Sequence, residues 1–242
     1  MKIAVAQTRP VKGNITANIA THVTLIQQAA AQGAGIIIFP ELSLTGYEPA
    51  MAAQLATTIT DERFDVFEQI SNKHHITIGV GMPLQTGTLP AIAMIIFKPG
   101  TARQVYAKKY LHADELPFFV SGQSTVTTLG EHNEVALAIC YEISVDEHTQ
   151  QAFSTQTTVY IASVAKAVKG IGNAVGRLAY IAKTYNVTVL MANCTGLCDG
   201  EECAGQSSVL NSKGELTGQL NNTAEGILMV DARTQAVTHA VF

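Results

Sequence analysis

The chain has 242 residues, 47% of them apolar and 14% charged, and 15 Lys and Arg stand against 19 Asp and Glu for a net charge of −4. That length suits one large domain or two small ones, nothing in the composition forces a split, and a single core is the expectation. The balance excludes a disordered chain, and without a run of Lys or Arg there is no footprint for a phosphate backbone, so nucleic acid is not an expected partner.

The first residues, Met1-Lys2-Ile3-Ala4-Val5-Ala6-Gln7, lack the long apolar core and cleavage site of a secretory leader, which points to a cytoplasmic protein with reduced thiols. The Asn-x-Thr triplets at Asn14, Asn186, Asn193 and Asn221 are then chance matches, because glycosylation requires export. Ile3 to Ala6 reads as a strand. Ile19, Val23, Ile26 and Ala30 recur at helical spacing after it, with Thr16 as the expected cap and Gly33 as the stop. Ile36-Ile37-Ile38-Phe39 is β-branched without polar alternation, the mark of a strand covered on both faces. A helix is expected from about Asp61 to Lys73, then strands at Ile76 to Val80, Ile92 to Phe97, Gln104 to Lys108 and Val135 to Cys140. The second half repeats the alternation with a strand at Thr158 to Ala162, a helix at Asn173 to Tyr185 and a strand at Val187 to Ala192. Strands at Ser207 to Leu210 and Ile227 to Val230 close the chain. The longest apolar stretches, Gly35 to Phe39 and Val187 to Ala192, are far below the roughly 20 residues that cross a bilayer, so no membrane partner is expected. Doubly buried strands with helices between them predict an α/β architecture, sheet inside and helices outside.

In such sheets ligands bind beyond the carboxyl ends of the strands, and three ionisable residues fall there. Glu41 follows Ile36 to Pro40, Lys108 ends Gln104 to Ala107, and Cys140 ends Val135 to Ile139. Singly, each has a plain structural explanation: cysteine is among the most buried residue types, and strand-end Lys or Glu is usually solvated. Together they form a chemical set. A thiol is a ready nucleophile once its proton is removed, a carboxylate can remove it, and an ammonium can hold the oxygen that turns negative when a carbonyl or nitrile is attacked. After Cys140, Ser144 is placed to cap a helix whose first turn holds Asp146 and Glu147, and backbone N–H groups there would favour a thiolate or oxyanion.

At these same residues the sequence resembles the nitrilase superfamily of carbon–nitrogen hydrolases, over nearly its whole length. Phe39-Pro40-Glu41-Leu42-Ser43-Leu44-Thr45-Gly46-Tyr47 is similar to the segment bearing the family's catalytic glutamate, Tyr106-Ala107-Lys108-Lys109-Tyr110-Leu111 to its lysine segment, and Ala138-Ile139-Cys140-Tyr141-Glu142 to its nucleophile segment. Gly176-Arg177-Leu178-Ala179 resembles the late helix, and Ala192-Asn193-Cys194-Thr195-Gly196 with Gly205-Gln206-Ser207 the closing segments. Three separate segments in the right order are far more specific than one short motif.

The resemblance implies one hydrolase domain over residues 1–242, a four-layer α-β-β-α sandwich with mixed sheets, no cofactor, and a homodimer or higher homo-oligomer. It implies that Cys140 attacks a small-molecule amide, expels ammonia or an amine and leaves a thioester that water hydrolyses. Glu41 would be the general base, Lys108 the oxyanion holder, and Glu115 in Asp114-Glu115-Leu116-Pro117 a second glutamate that orients the lysine or the substrate. Lys109 competes with Lys108, but neighbours on a strand point to opposite faces and the family spacing favours Lys108. Tyr47, Tyr141 and Ser163 are candidates to line the substrate pocket. The chain departs from the family after the nucleophile, where Ser144, Val145, Asp146 and Glu147 replace the common Arg, aromatic, Pro and Glu. It has no Trp, so Ala162-Ser163-Val164-Ala165 should shape a different pocket, and the lack of a long tail after Phe242 favours amidase branches over filament-forming nitrilases. An N-carbamoyl compound or a nitrile is the alternative substrate. A non-catalytic scaffold is disfavoured by three polar residues kept at an apolar edge.

Cys194, Cys198 and Cys203 lie beside Asp199, Glu201 and Glu202, but intervals of four and five are unlike the tight pairs of zinc modules, and no metal ligand is expected. The resemblance puts this loop near the active site, where oxidation of an exposed thiol would affect activity. His74 and His75 read as loop or surface groups.

Overall fold

The long apolar runs build two facing sheets in the computed structural model, which describes residues 1–241. The first half contributes β1 (Lys2–Gln7), α1 (Ile15–Ala31), β2 (Ala34–Ile38), the short α2 (Ala52–Leu55), α3 (Asp65–His74), β3 (Thr77–Leu84), β4 (Ala91–Phe97) and β5 (Gln104–Ala107). The second adds β6 (Thr128–Leu129), β7 (Val135–Ile139), α4 (Asp146–Ala152), β8 (Val159–Ser163), α5 (Ile171–Tyr185) and β9 (Thr188–Ala192). A hairpin of β10 (Thr195–Cys198) and β11 (Glu201–Ala204) precedes β12 (Ser208–Leu210), β13 (Leu216–Gln219), β14 (Gly226–Asp231) and β15 (Val237–Val241). One sheet has the order β15-β14-β1-β2-β3-β4-β5 and the other β13-β12-β9-β8-β7-β6. Both are mixed: β1, β2 and β3 run parallel, as do β7, β8 and β9, and antiparallel strands complete each sheet.

Period-two side chains explain the missing polar alternation. Ile3, Val5, Ile36 and Ile38 join Ala136, Ala138 and Leu190 in the core between the sheets. Their neighbours Ala4, Ala6, Ile37 and Phe39 pack outward on Leu25 and Ile26 of α1 and Phe67 of α3. On the other sheet, α5 lies against β9 and β12. Helix, sheet, sheet and helix make the α-β-β-α sandwich. Among the described residues no helix is long and apolar enough to cross a membrane.

Three local expectations are corrected. The α1 cap is Asn14, whose side chain accepts from the Ala17 N–H at 3.1 Å, not Thr16. The buried stripe of α1 is Ile15, Asn18, His22, Leu25, Ile26 and Ala29 rather than the Ile19, Val23, Ala30 face, because its two polar members satisfy themselves inside. Asn18 donates to the Val11 and Leu44 carbonyls at 2.9 Å each, and His22 stacks on Phe39 while its Nε2 meets Ser43 Oγ at 2.9 Å. An apolar count misses such residues. Finally, α4 begins after Val145 with no side-chain cap, so Asp146 and Glu147 do sit in a first turn that Ser144 does not cap.

Candidate active site

Each ionisable residue of the set sits just past a strand, on a turn the neighbouring backbone pins. Glu41 lies in the turn leaving β2, where Ser43 N–H donates to the Pro40 carbonyl at 3.1 Å and Leu44 N–H to the Gly81 carbonyl at 3.0 Å. Gly81 is required there: a Cβ at that position would lie 2.3 Å from the Leu42 nitrogen. Lys108 follows β5 and its N–H donates to the Ile92 carbonyl at 2.8 Å. Cys140 opens a 3-10 turn, Cys140–Ser144, with φ 44°, a left-handed conformation that costs a side-chain-bearing residue of order 1 kcal/mol and lifts the thiol off the end of β7. Glu142, two residues on, holds this turn. Its carboxylate accepts from Ile139 N–H at 2.8 Å, Lys109 N–H at 2.7 Å and the Tyr106 hydroxyl at 2.7 Å, tying the nucleophile turn to the lysine segment. Where the family's common Arg and Pro are missing, Arg177 of α5 reaches in, donating to the Ile143 carbonyl at 2.8 Å and pairing with Asp146 at 2.5 Å.

Lys108 Nζ donates to Glu41 Oε1 at 2.7 Å and to Glu115 Oε1 at 2.6 Å, with all three side chains buried. Tyr47 donates its hydroxyl to Glu115 Oε1 at 3.0 Å, and His112 N–H donates to Glu115 Oε2 at 2.7 Å. Glu41 Oε2 has no hydrogen-bond partner among the described residues. Burial works against the charge on Lys108, but Glu41 and the other acidic neighbours outweigh it and hold the ammonium's pKa above its ordinary value. Burial raises the Glu41 carboxyl, with Lys108 opposing and Glu115 assisting. Cys140 is pushed up to about 11 by burial first and the Glu41 charge second, so its resting form at neutral pH is the thiol.

Cys140 and Glu115 open on a cavity of about 370 Å³, whose lining also includes Tyr47, Tyr141 and Lys166. Glu41 and Lys108 are fully buried and do not line it. Of the predicted residues, Glu41, Lys108 and Glu115 are in direct contact, and Tyr47 and Tyr141 share the cavity with Cys140. Ser163 is not brought into the cavity lining. It is buried at the end of β8 and its hydroxyl donates across the sheets to the Phe39 carbonyl at 2.8 Å. Lys109 is exposed, its ammonium lying over the Tyr110 ring.

Sequence reading missed Lys166, which follows β8 and favours the Cys140 thiolate electrostatically, and the clamping carboxylate of Glu142. A charged residue two places after a strand-end thiol, in an otherwise apolar stretch, was the available signal for Glu142. Nothing local marked Lys166. The thiols of the closing segment also differ from expectation: Cys194, Cys198 and Cys203 are all buried rather than exposed, and they sit together, with Cys198 and Cys203 at the cavity lining.

The sequence model of the family described as carbon–nitrogen hydrolase matches residues 2–240. A glutamine-dependent NAD(+) synthetase of Thermotoga maritima is 24% identical over 241 residues, a stretch that is 96% of this chain but only 42% of the synthetase. The chain thus spans about two fifths of that relative's length. A hydrolase of the agr operon of Staphylococcus aureus is 22% identical over 243 residues, covering 98% of this chain and 93% of that protein. Among solved structures, an amidase from Nesterenkonia sp. AN1 superposes with a TM-score of 0.84 at 23% identity, over 96% of this chain and 90% of that one, in a variant of the amidase's cysteine complexed with butyramide. That likeness fixes the shared sandwich fold.

Proposed function

The chain belongs to the carbon–nitrogen hydrolase family, and on that premise we propose that it hydrolyses a small amide through a thioester on Cys140. The observation that carries the reading is the buried Lys108 ammonium held between two carboxylates, one of which keeps a free oxygen. An ammonium has three N–H donors; Glu41 and Glu115 take two, which leaves the third for a developing oxyanion. Glu41 Oε2 is the natural proton acceptor for a thiol whose raised pKa means that it must lose its proton as it attacks.

Glu41 takes the Cys140 proton as Sγ bonds to the amide carbon, and the carbonyl electrons move onto an oxygen held by Lys108. The carbonyl reforms, the C–N bond breaks, and Glu41 returns the proton to the departing nitrogen, giving ammonia or an amine. Water then adds to the thioester, its proton passing to Glu41, and the acid leaves as the thiol is regenerated. Glu115 is a positioning residue: it holds Lys108 and is itself held by Tyr47 and His112. Complexes of the similar Nesterenkonia amidase with butyramide, and with acrylamide added at its active-site cysteine, support short aliphatic amides as the substrate class.

A second reading, the ω-amide of an amino acid, is favoured by charges of both signs in the cavity lining, where Lys166 and Lys169 stand near Asp199 and Glu201. A zwitterionic head group matches such a rim, and the synthetase relative is glutamine-dependent. The test is release of ammonia from a panel of short aliphatic amides, L-glutamine and other ω-amides, nitriles and N-carbamoyl amino acids. Turnover of amides, with a mass increase on Cys140 trapped by iodoacetamide and abolished in Cys140→Ala, is the expected result. Turnover confined to nitriles or carbamoyl compounds, or amide turnover that survives Cys140→Ala, overturns it.

A further inference from the structure

Cys194, Cys198 and Cys203 come together because of the β10–β11 hairpin. Its antiparallel register sets Cys203 opposite Gly196, the residue midway between Cys194 and Cys198, and folds the tip back at Asp199 and Gly200, both with positive φ. All three sulfurs lie within 4.8 Å of one another, and Cys194 Sγ is 3.7 Å from Cys198 Sγ. With metal–sulfur bonds of about 2.3 Å, tetrahedral or trigonal thiolate coordination requires sulfur–sulfur separations of about 3.8–4.0 Å. The closest pair already has about that spacing, and the third sulfur lies within 4.8 Å of both. No two of the sulfurs are bonded, since all the cysteines are free thiols.

The surroundings leave the trio facing in one direction. Tyr47 and Ala165 pack against the trio and keep it dry on one side, while Cys198 and Cys203 reach the lining of the cavity that holds Cys140. Three converging soft donors with one open direction are not needed for packing, which an Ala or Val at each position would serve.

We propose that Cys194, Cys198 and Cys203 form a three-thiolate site for a thiophilic d10 cation, Zn2+ or Cu+, in the wall of the active-site cavity. Each sulfur binds as thiolate and releases its proton to solvent. Trigonal Cu+ is satisfied by the three sulfurs alone; Zn2+ completes a tetrahedron with a water or ligand atom from the cavity. Tyr47 connects this site to the catalytic set, because it packs against the three cysteines while its hydroxyl bonds Glu115.

The experiment titrates the fully reduced chain with Co2+ as a spectroscopic stand-in for Zn2+ and then with Zn2+ itself, and in a second arm with Cu+ under argon, each against a chromophoric chelator. One equivalent bound per chain in either arm is expected and identifies the ion. Co2+ should give a thiolate-to-metal charge-transfer band that persists in Cys140→Ser and disappears in Cys198→Ser. Loading should also slow the alkylation of Cys194, Cys198 and Cys203, followed peptide by peptide by mass spectrometry, and leave the slow rate at Cys140 unchanged, a readout on the unmutated chain that does not depend on the variant folding. No binding in either arm overturns the proposal. So does a band that survives Cys198→Ser or vanishes in Cys140→Ser, or loading that leaves the alkylation rate of any of the three cysteines unchanged.

Discussion

Lys108 Nζ donates to Glu41 Oε1 at 2.7 Å while the second oxygen of the same carboxylate is left buried without a partner. One carboxylate is thus divided between two tasks. Its paired oxygen keeps the ammonium charged and aimed, and its free oxygen is the site for a proton. Leaving a buried carboxylate oxygen unpaired costs stability that a purely structural ion pair would avoid.

For Glu41→Gln the turnover of amide is expected to fall by about a hundredfold or more, the scale of a removed general base. The same change should make Cys140 easier to deprotonate, because it removes the negative charge that adds to burial in raising the thiol. Turnover and thiol reactivity therefore move in opposite directions: kcat drops while the pH midpoint of iodoacetamide labelling falls below that of the unmodified chain. Near-normal turnover means that another group carries the proton, and an upward shift in the midpoint means that Glu41 does not face the sulfur.

Resting Cys140 has a folded-state pKa raised to about 11, so it contributes stability that is fully present below the ordinary thiol range near 9 and is lost as pH rises through 11. Urea midpoints between pH 8 and pH 11 should decline more steeply for the unmodified chain than for Cys140→Ser, whose hydroxyl does not titrate there. Parallel curves would contradict the assigned burial. The acid limb of kcat/KM should have its midpoint above 4.5, because burial raises Glu41 and protonation there removes the base.

Ser163→Ala is expected to leave KM for any amide unchanged within about twofold and to cost about 1 kcal/mol of stability, the usual worth of one buried hydrogen bond. The hydroxyl serves the Phe39 carbonyl, next to the turn carrying Glu41, and not the cavity. A severalfold rise in KM with an unchanged urea midpoint would restore Ser163 as a substrate contact.

Glu142→Ala strips the acceptor from Ile139 N–H, Lys109 N–H and the Tyr106 hydroxyl at once. A loss of about 3 kcal/mol or more is expected in urea denaturation, since each stranded buried donor costs about 1–3 kcal/mol. Glu142→Gln, which keeps one acceptor oxygen, should recover part of it. Equal midpoints for the two variants would show that the nucleophile turn holds itself.

Much of this protein was determined by its sequence alone. Runs such as Ile36 to Phe39 have no face left for water, so they had to become strands covered on both sides, and Glu41, Lys108 and Cys140 fall just past strand ends, where the chain turns out of its sheet. Burial and turn formation are local properties, and local patterns encode them. Short, polar or irregular pieces such as β10, β11, β13 and β15 carry no such pattern and went unread. The α1 stripe was misread where Asn18 and His22 satisfy their polar atoms inside. Only tertiary structure decided which long-range partner each polar group found: that Glu115 and Glu41 share one ammonium, that Ser163 turns to Phe39, that Arg177 braces the nucleophile turn, and that three thiols spaced like no familiar metal module converge. A hydrogen bond or a sulfur–sulfur approach is directional and reaches only a few ångströms, so it depends on how strands and turns far apart in the chain are set against each other, which spacing along the chain does not specify.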